Sequence, residues 1–196
     1  MGRRKSFKPE EALQKAMTVF LAKGFDETSY DELVEATGVA RYGLYSTFGN
    51  KRDLFIKVLQ HYRKTVTFFW SAGLDREDAD IKDVRALVKR MKDFAAGSNG
   101  ASGCLMCKTA VKGKTLDIKI QEEVEDYFSY FRSLFFRAFE NSRANALVPN
   151  DFDSEKYADF YVCMMRTADL LARTADPEHS YDGYFVISDQ LLKLEL

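Results

Sequence analysis

A chain of 196 residues gives room for one large domain, or a small domain joined to a larger one, with ample length for a core. Its composition, 46% hydrophobic, 30% charged and 14% aromatic, is that of an ordinary soluble globular protein with aromatics on the high side. No apolar run reaches the ~18 residues of a spanning helix, and the opening MGRRKSFKPEE has no apolar stretch for a secretory signal. Gly2 and Ser6 fit a myristoylation pattern, but one short enough to arise by chance. Three cysteines, an odd count without a signal peptide, point to reduced thiols in a cytoplasmic protein with no membrane partner. The net charge of -1 hides an asymmetry: residues 1–65 hold 12 Lys+Arg against 8 Asp+Glu, the remainder 17 against 22. A basic front on an acidic body suits a polyanion partner for the front alone, and a chance fluctuation would look the same.

The predicted elements are helices throughout. Leu13, Ala16, Met17, Phe20 and Leu21 make one stripe of a first helix, which Gly24 ends, with Phe25 folding back as a capping partner. Ser29 and Glu32 form a capping box for a short second helix closed by Gly38. A third runs over roughly 41–47, and Asn50, with Asp53 at the reciprocal position, caps a long fourth. The fourth carries the stripe Leu54, Phe55, Val58, Leu59, Tyr62, Val66, Phe69. After the polar break SAGLDREDAD come a fifth helix from Ile81, a glycine-rich loop at 97–103 and a short helix from Cys104. A long helix follows through Ile120 to Phe135, and two more lie beyond Pro149. The expected fold class is all-α: a helix-turn-helix domain at 1–52, with a basic arm at 1–8, and a helical bundle at 53–196.

The stretch GVARYGLYSTFGNKRDLF asks what its polar and aromatic groups read. On a wheel, Leu44 and Phe48 fall together as the buried side of the third helix. Tyr42 and Ser46 point away from them, flanked by Gly43 and Tyr45, with Arg41 at the shoulder. Such a face donates and accepts hydrogen bonds and touches methyl groups, where an ordinary solvated face would carry Lys and Glu. Two short helices joined at a glycine turn define a helix-turn-helix, whose second helix enters the major groove. The backbone at Thr28–Asp31 and Lys51 suits phosphate oxygens. Arg3, Arg4, Lys5 and Lys8 suit the DNA backbone or minor groove. A helical hairpin with its tyrosines packed on neighbours would give the same pattern.

The segment FLAKGFDETSYDELVEATGVARYGLYSTFGNKRDLF resembles the DNA-binding domain of the TetR family of bacterial transcriptional regulators. The pieces G-[FY]-x-x-T-[ST], A-x-G-V, L-Y-x-x-F and K-x-x-L stand in order over about residues 7–56. The resemblance implies a homodimer in which the first three helices bind a double-stranded operator. It also implies a divergent helical body for a small-molecule effector, and a dimer interface made by the last two helices. Position by position it places recognition on Arg41, Tyr42, Gly43, Tyr45, Ser46 and Thr47, and phosphate contacts on Thr28 and Lys51. Ala40 departs from the usual Ser or Thr cap and Tyr42–Gly43 from the usual small residues, so a consensus operator does not carry over.

In the body, GASGCLMCKTA resembles the G-C-L-x-x-x-[TS]-A segment at the sixth helix of a subgroup of the same family, some of whose members sense oxidants or electrophiles. A helix starting near Gly103 would favour the thiolate of Cys104. Cβ atoms at i and i+3 lie ~5–6 Å apart, however, beyond the ~3.5–4.5 Å of a disulfide. Bridging Cys104 to Cys107 therefore needs a distorted turn, and simple packing of both thiols is the other reading. Cys163 falls in a dense apolar helix. Trp70, Met91, Phe94, Met106, Tyr127, Phe131, Tyr161 and Met165 are candidates for an aromatic effector cavity, or plain core. The penultimate helix is apolar on more than one face, which suits burial against the body and a second subunit, or a central core position. No metal spacing involves His61 or His179, no cofactor motif stands out, and C-x-x-C lacks the βαβ setting of a thiol enzyme. The chain is expected to be a regulator, a repressor released by a small-molecule or thiol-reactive effector, and not an enzyme. The alternative is a helical C-x-x-C protein without specific DNA binding.

Overall fold

In the computed structural model, residues 7–97, 103–174 and 182–193 are described. Among them there is no strand. The α-helices are α1 (Pro9–Glu27), α2 (Tyr30–Thr37), α3 (Arg41–Phe48), α4 (Lys51–Ser71), α5 (Ile81–Ala96), α6 (Leu105–Ala110), α7 (Ile118–Ala144), α8 (Ser154–Thr174) and α9 (Asp182–Gln190). None is long and apolar enough to cross a membrane. The all-α expectation holds. Arg3, Arg4, Lys5, the Gly2/Ser6 pattern, most of the glycine-rich loop and His179 lie outside the described residues.

Two compact units emerge, and their boundary is not at residue 52. The first takes residues up to Thr67 together with Cys104–Glu125, and the second takes Phe68–Gly103 and Asp126–Leu196. Local chemistry explains why α6 joins the first unit. The Lys108 ammonium donates to the carbonyl oxygens of Leu21 and Ala22 near the end of α1, and Lys112 pairs with Asp26. Arg52 with Asp117 (2.8 Å) and Arg63 with Glu123 (3.0 Å) tie α4 to the start of α7. The core of this unit is Ala16, Phe20, Leu33, Leu44, Leu54, Phe55 and Val58, with the rings of Phe20 and Phe55 edge to face at 4.7 Å.

The second unit buries Leu87, Phe131, Phe135, Phe139, Tyr161 and Met164. Side chains satisfy its helix ends. Asp80 and Asp83 form a capping box at the start of α5, while the Ser142 hydroxyl accepts from the Ile81 N–H at 2.8 Å. Arg90 donates to the carbonyl of Ala72 at 2.8 Å, just past α4, and to that of Trp70 at 3.3 Å. Phe69 departs from the expected stripe: it is 56% exposed, and Trp70, the next residue, is buried instead.

Candidate nucleic-acid interface

The interface is built from α2, the turn after it and α3. At the start of α2 the Glu32 N–H donates to the Ser29 hydroxyl at 3.2 Å, and the Ser29 N–H donates to the Glu32 carboxylate at 2.8 Å. This reciprocal box satisfies two donors that a helix start leaves without partners. With the Lys23 ammonium also on it, the Glu32 carboxyl is lowered to about 2. Gly38 ends α2 at φ 70°, left-handed backbone that glycine adopts without a Cβ penalty, and its N–H bonds the Val34 carbonyl at 3.0 Å.

This turn delivers α3 with Leu44 and Phe48 buried underneath and Arg41, Tyr42, Tyr45 and Ser46 exposed. Tyr42 is 85% exposed and Tyr45 60%. Two large rings this exposed on one face of one short helix make a patch, so they are the informative residues of the face. Arg41 pairs with Asp31 of α2 and lies 5.2 Å from the Tyr30 ring centre. Tyr30 in turn donates its hydroxyl to the Gly49 carbonyl at 3.1 Å, and its burial pushes that hydroxyl's pKa up. The Ser46 hydroxyl bonds back to the Gly43 carbonyl at 3.2 Å, and Thr47 is half-buried.

Three candidate residues do other work than the sequence suggests. Thr28 is buried, and its hydroxyl donates to the Gly24 carbonyl at 2.6 Å. The reason is the break in α1 at Gly24 (φ 80°), whose carbonyl this hydroxyl satisfies. Lys51 donates to the carbonyls of Phe25 (3.0 Å) and Thr28 (2.9 Å) and sits 4.6 Å from the Phe25 ring centre. Its ammonium closes the end of α1 rather than standing free in solvent. Gly43 is half-buried at the edge of the face, where a Cβ would meet Val39 Cγ1 at 3.1 Å and Phe7 at 3.5 Å. Phe7 also lies 6.3 Å from the Phe48 ring, so its side chain is seated on α3. The sequence reading missed Phe7, Tyr30 and Asp31. Phe7 had a signal, as the one large apolar side chain among the basic residues of the opening segment.

The aromatic residues proposed for an effector cavity are mostly core. Trp70 packs edge to face on Phe94 at 5.1 Å, Tyr127 on Phe131 at 5.1 Å, and the Tyr161 hydroxyl donates to the Ser188 carbonyl at 2.6 Å. Burial raises the Tyr161 hydroxyl's pKa steeply. Met91 and Met165 are buried beside them in the second unit, whereas Met106 is buried in the first. None of the eight lines either of two surface grooves of the second unit, one along α5 and α9 and one within residues 136–155. Among the thiols, Cys104 is half-buried as the N-cap of α6 and Cys107 is buried, and the two are not bridged. Cys163 is exposed on α8, contrary to its expected place in a dense apolar helix.

The fold and this face define a helix-turn-helix domain joined to an otherwise helical chain. Residues 12–58 match the family described as bacterial regulatory proteins, tetR family. The transcriptional repressor BdcR of Escherichia coli is 34% identical over 106 residues, covering 54% of this chain and 52% of that one. The regulator YezE of Bacillus subtilis is 42% identical over 112 residues, covering 57% and 58%. The chain thus spans only about half the length of these curated relatives. Over the whole fold it is similar to a cysteine-substituted TetR family regulator, CifR, solved with 26-bp double-strand operator DNA. There the TM-score is 0.82 at 23% identity, covering 99% of this chain and 100% of that one, a likeness that establishes the fold.

Proposed function

We propose that the protein is a transcriptional repressor that binds double-stranded operator DNA as a homodimer and leaves it when a small-molecule or thiol-reactive effector binds the body. The observation that carries this reading is the outward face of α3, where Tyr42 and Tyr45 stand exposed above a buried Leu44 and Phe48. Such a face offers ring edges and hydroxyls to base edges and thymine methyls in the major groove. The exposed apolar residues Phe160 and Leu170 on α8, Ile187 on α9 and Leu191 just past it support the homodimer. The Tyr184 hydroxyl, 3.4 Å from the Met164 carbonyl, joins these two helices. BdcR is a transcriptional repressor, which supports the sign of the regulation. The test is an electrophoretic shift with the DNA upstream of the protein's own gene, repeated with Tyr42→Ala. A sequence-specific shift altered by the substitution supports the reading; no shift with any duplex at low salt overturns it. A C-x-x-C redox enzyme is disfavoured because the described residues hold no strand, and so no βαβ setting for the motif.

A further inference from the structure

We infer that the groove between α5 and α9 is a binding site for a small amphipathic carboxylate, an alkyl or aryl acid held by its charge at a lysine rim and by its apolar body on the floor. The groove encloses about 590 Å³, within the range of small-ligand sites and lined entirely by residues of the second unit. Four cations, Lys82, Arg85, Lys89 and Lys92, recur along one face of α5 at spacings of three and four residues. At 1.5 Å rise per residue they form a row ~15 Å long. Lys193 adds a fifth from the opposite wall.

Among the described residues that line the groove there is one carboxylate, Asp189, and it is taken by Arg85 at 2.8 Å and Lys193 at 2.9 Å. Lys89 pairs with Asp93 at 2.6 Å, but both partners are well exposed, and an exposed pair is weak enough to yield to a competing anion. This excess of positive charge is local, since residues 66–196 carry five more acidic than basic side chains. The surrounding surface repels an anion and the groove gathers it.

The floor decides the class of anion. It is apolar: the methyl of exposed Ala86, the buried Phe185 ring and Val186, which is 45% exposed. Bare phosphate would leave that floor in water, whereas an acid with an apolar body covers it while its head meets the lysines. On α9 the groove residues Phe185 and Asp189 point away from Ile187 on the helical wheel, so the groove is separate from the apolar face assigned to the dimer.

The probe is octanoate, titrated calorimetrically into the full chain, with 1-octanol and inorganic phosphate as controls. Octanoate should bind saturably at one site per chain, with both controls at least tenfold weaker, and its affinity should fall as salt rises. Lys89→Gln with Lys92→Gln should weaken octanoate at least tenfold without moving the melting temperature, and Val186→Ser should weaken it by less. No binding would overturn the proposal. So would octanol or phosphate matching octanoate, or a folded double variant that binds like the parent, because each removes one of the two halves of recognition. Should the double variant unfold, Val186→Ser decides: unchanged octanoate affinity sinks the site.

Discussion

The Lys51 ammonium lies 2.9 Å from the carbonyl oxygen of Thr28 and 3.0 Å from that of Phe25, at the junction of α1 and α2. Hydrogen bonds from a charged donor contribute more than neutral ones, so Lys51→Met should cost about 1–3 kcal/mol, read by urea unfolding. If the same lysine also reaches a DNA phosphate, the salt slope of binding should flatten by about one unit for every sequence alike. Unchanged stability would mean the carbonyl contacts contribute nothing.

Tyr42 is nearly free of protein contact, which separates its effect from folding. Tyr42→Ala should leave stability within about 0.5 kcal/mol while altering which duplexes are preferred, measured by selection from a random-sequence pool. Equal affinity changes across all duplexes would show that the ring does not read bases.

The apolar residues of the last two helices fall into two groups with opposite expectations. Ile187→Asp or Leu170→Asp, at 59% and 47% exposed positions, should yield a folded monomer by light scattering and circular dichroism. Met164→Asp, at 1% exposure, should instead unfold the body, because it buries a charge without a partner. A parent chain that is monomeric at micromolar concentration would end the dimer proposal.

Glu32 makes the first unit acid-sensitive. Its carboxyl titrates at about 2, against an ordinary 4.5, because Lys23 and the Ser29 N–H and hydroxyl all favour the charged form. A depressed carboxylate stabilises the fold above its unfolded value and loses that contribution as pH falls from about 4.5 toward 2. The drop in melting temperature from pH 5 to pH 2.5 should therefore be smaller for Glu32→Gln than for the parent. Identical drops would assign the acid sensitivity elsewhere.

Exposure reorders the thiols. Cys163 should be alkylated first in a monomeric variant and more slowly in the dimer, with Cys104 next and Cys107 last, followed by mass spectrometry. If a thiol governs release from DNA, Cys104→Ser should blunt the response to an alkylator while Cys163→Ser leaves it intact. A response unchanged in both variants would remove thiols from the mechanism.

What could be read in advance follows the range of the interactions involved. Gly24, Gly38, the Ser29–Glu32 box and the Asn50 cap act over three or four residues and were legible. So was the division of α3 into Leu44 and Phe48 below and Tyr42 and Tyr45 above, which needs only a helical period. Most of the contacts that the sequence did not show depend on partners distant in sequence. Lys51 finds carbonyls 23 and 26 residues away, and Gly43 is shaped by Phe7. The unit boundary turns on Lys108 reaching back 87 residues to Leu21. Thr28 is the exception, the partner of its hydroxyl being Gly24, four residues away.

Tyr30 touches both ends of α3, lying beneath Arg41 at its start and bonding the carbonyl of Gly49 just past its finish. One side chain from α2 therefore braces an eight-residue helix far too short to be stable alone. The helix arrives at any encounter already formed, so contact does not have to bear the entropy of ordering it. Its association should consequently be governed by diffusion and orientation, with the exchange of Asp31 for a ligand anion at Arg41 as the first local event rather than a folding step.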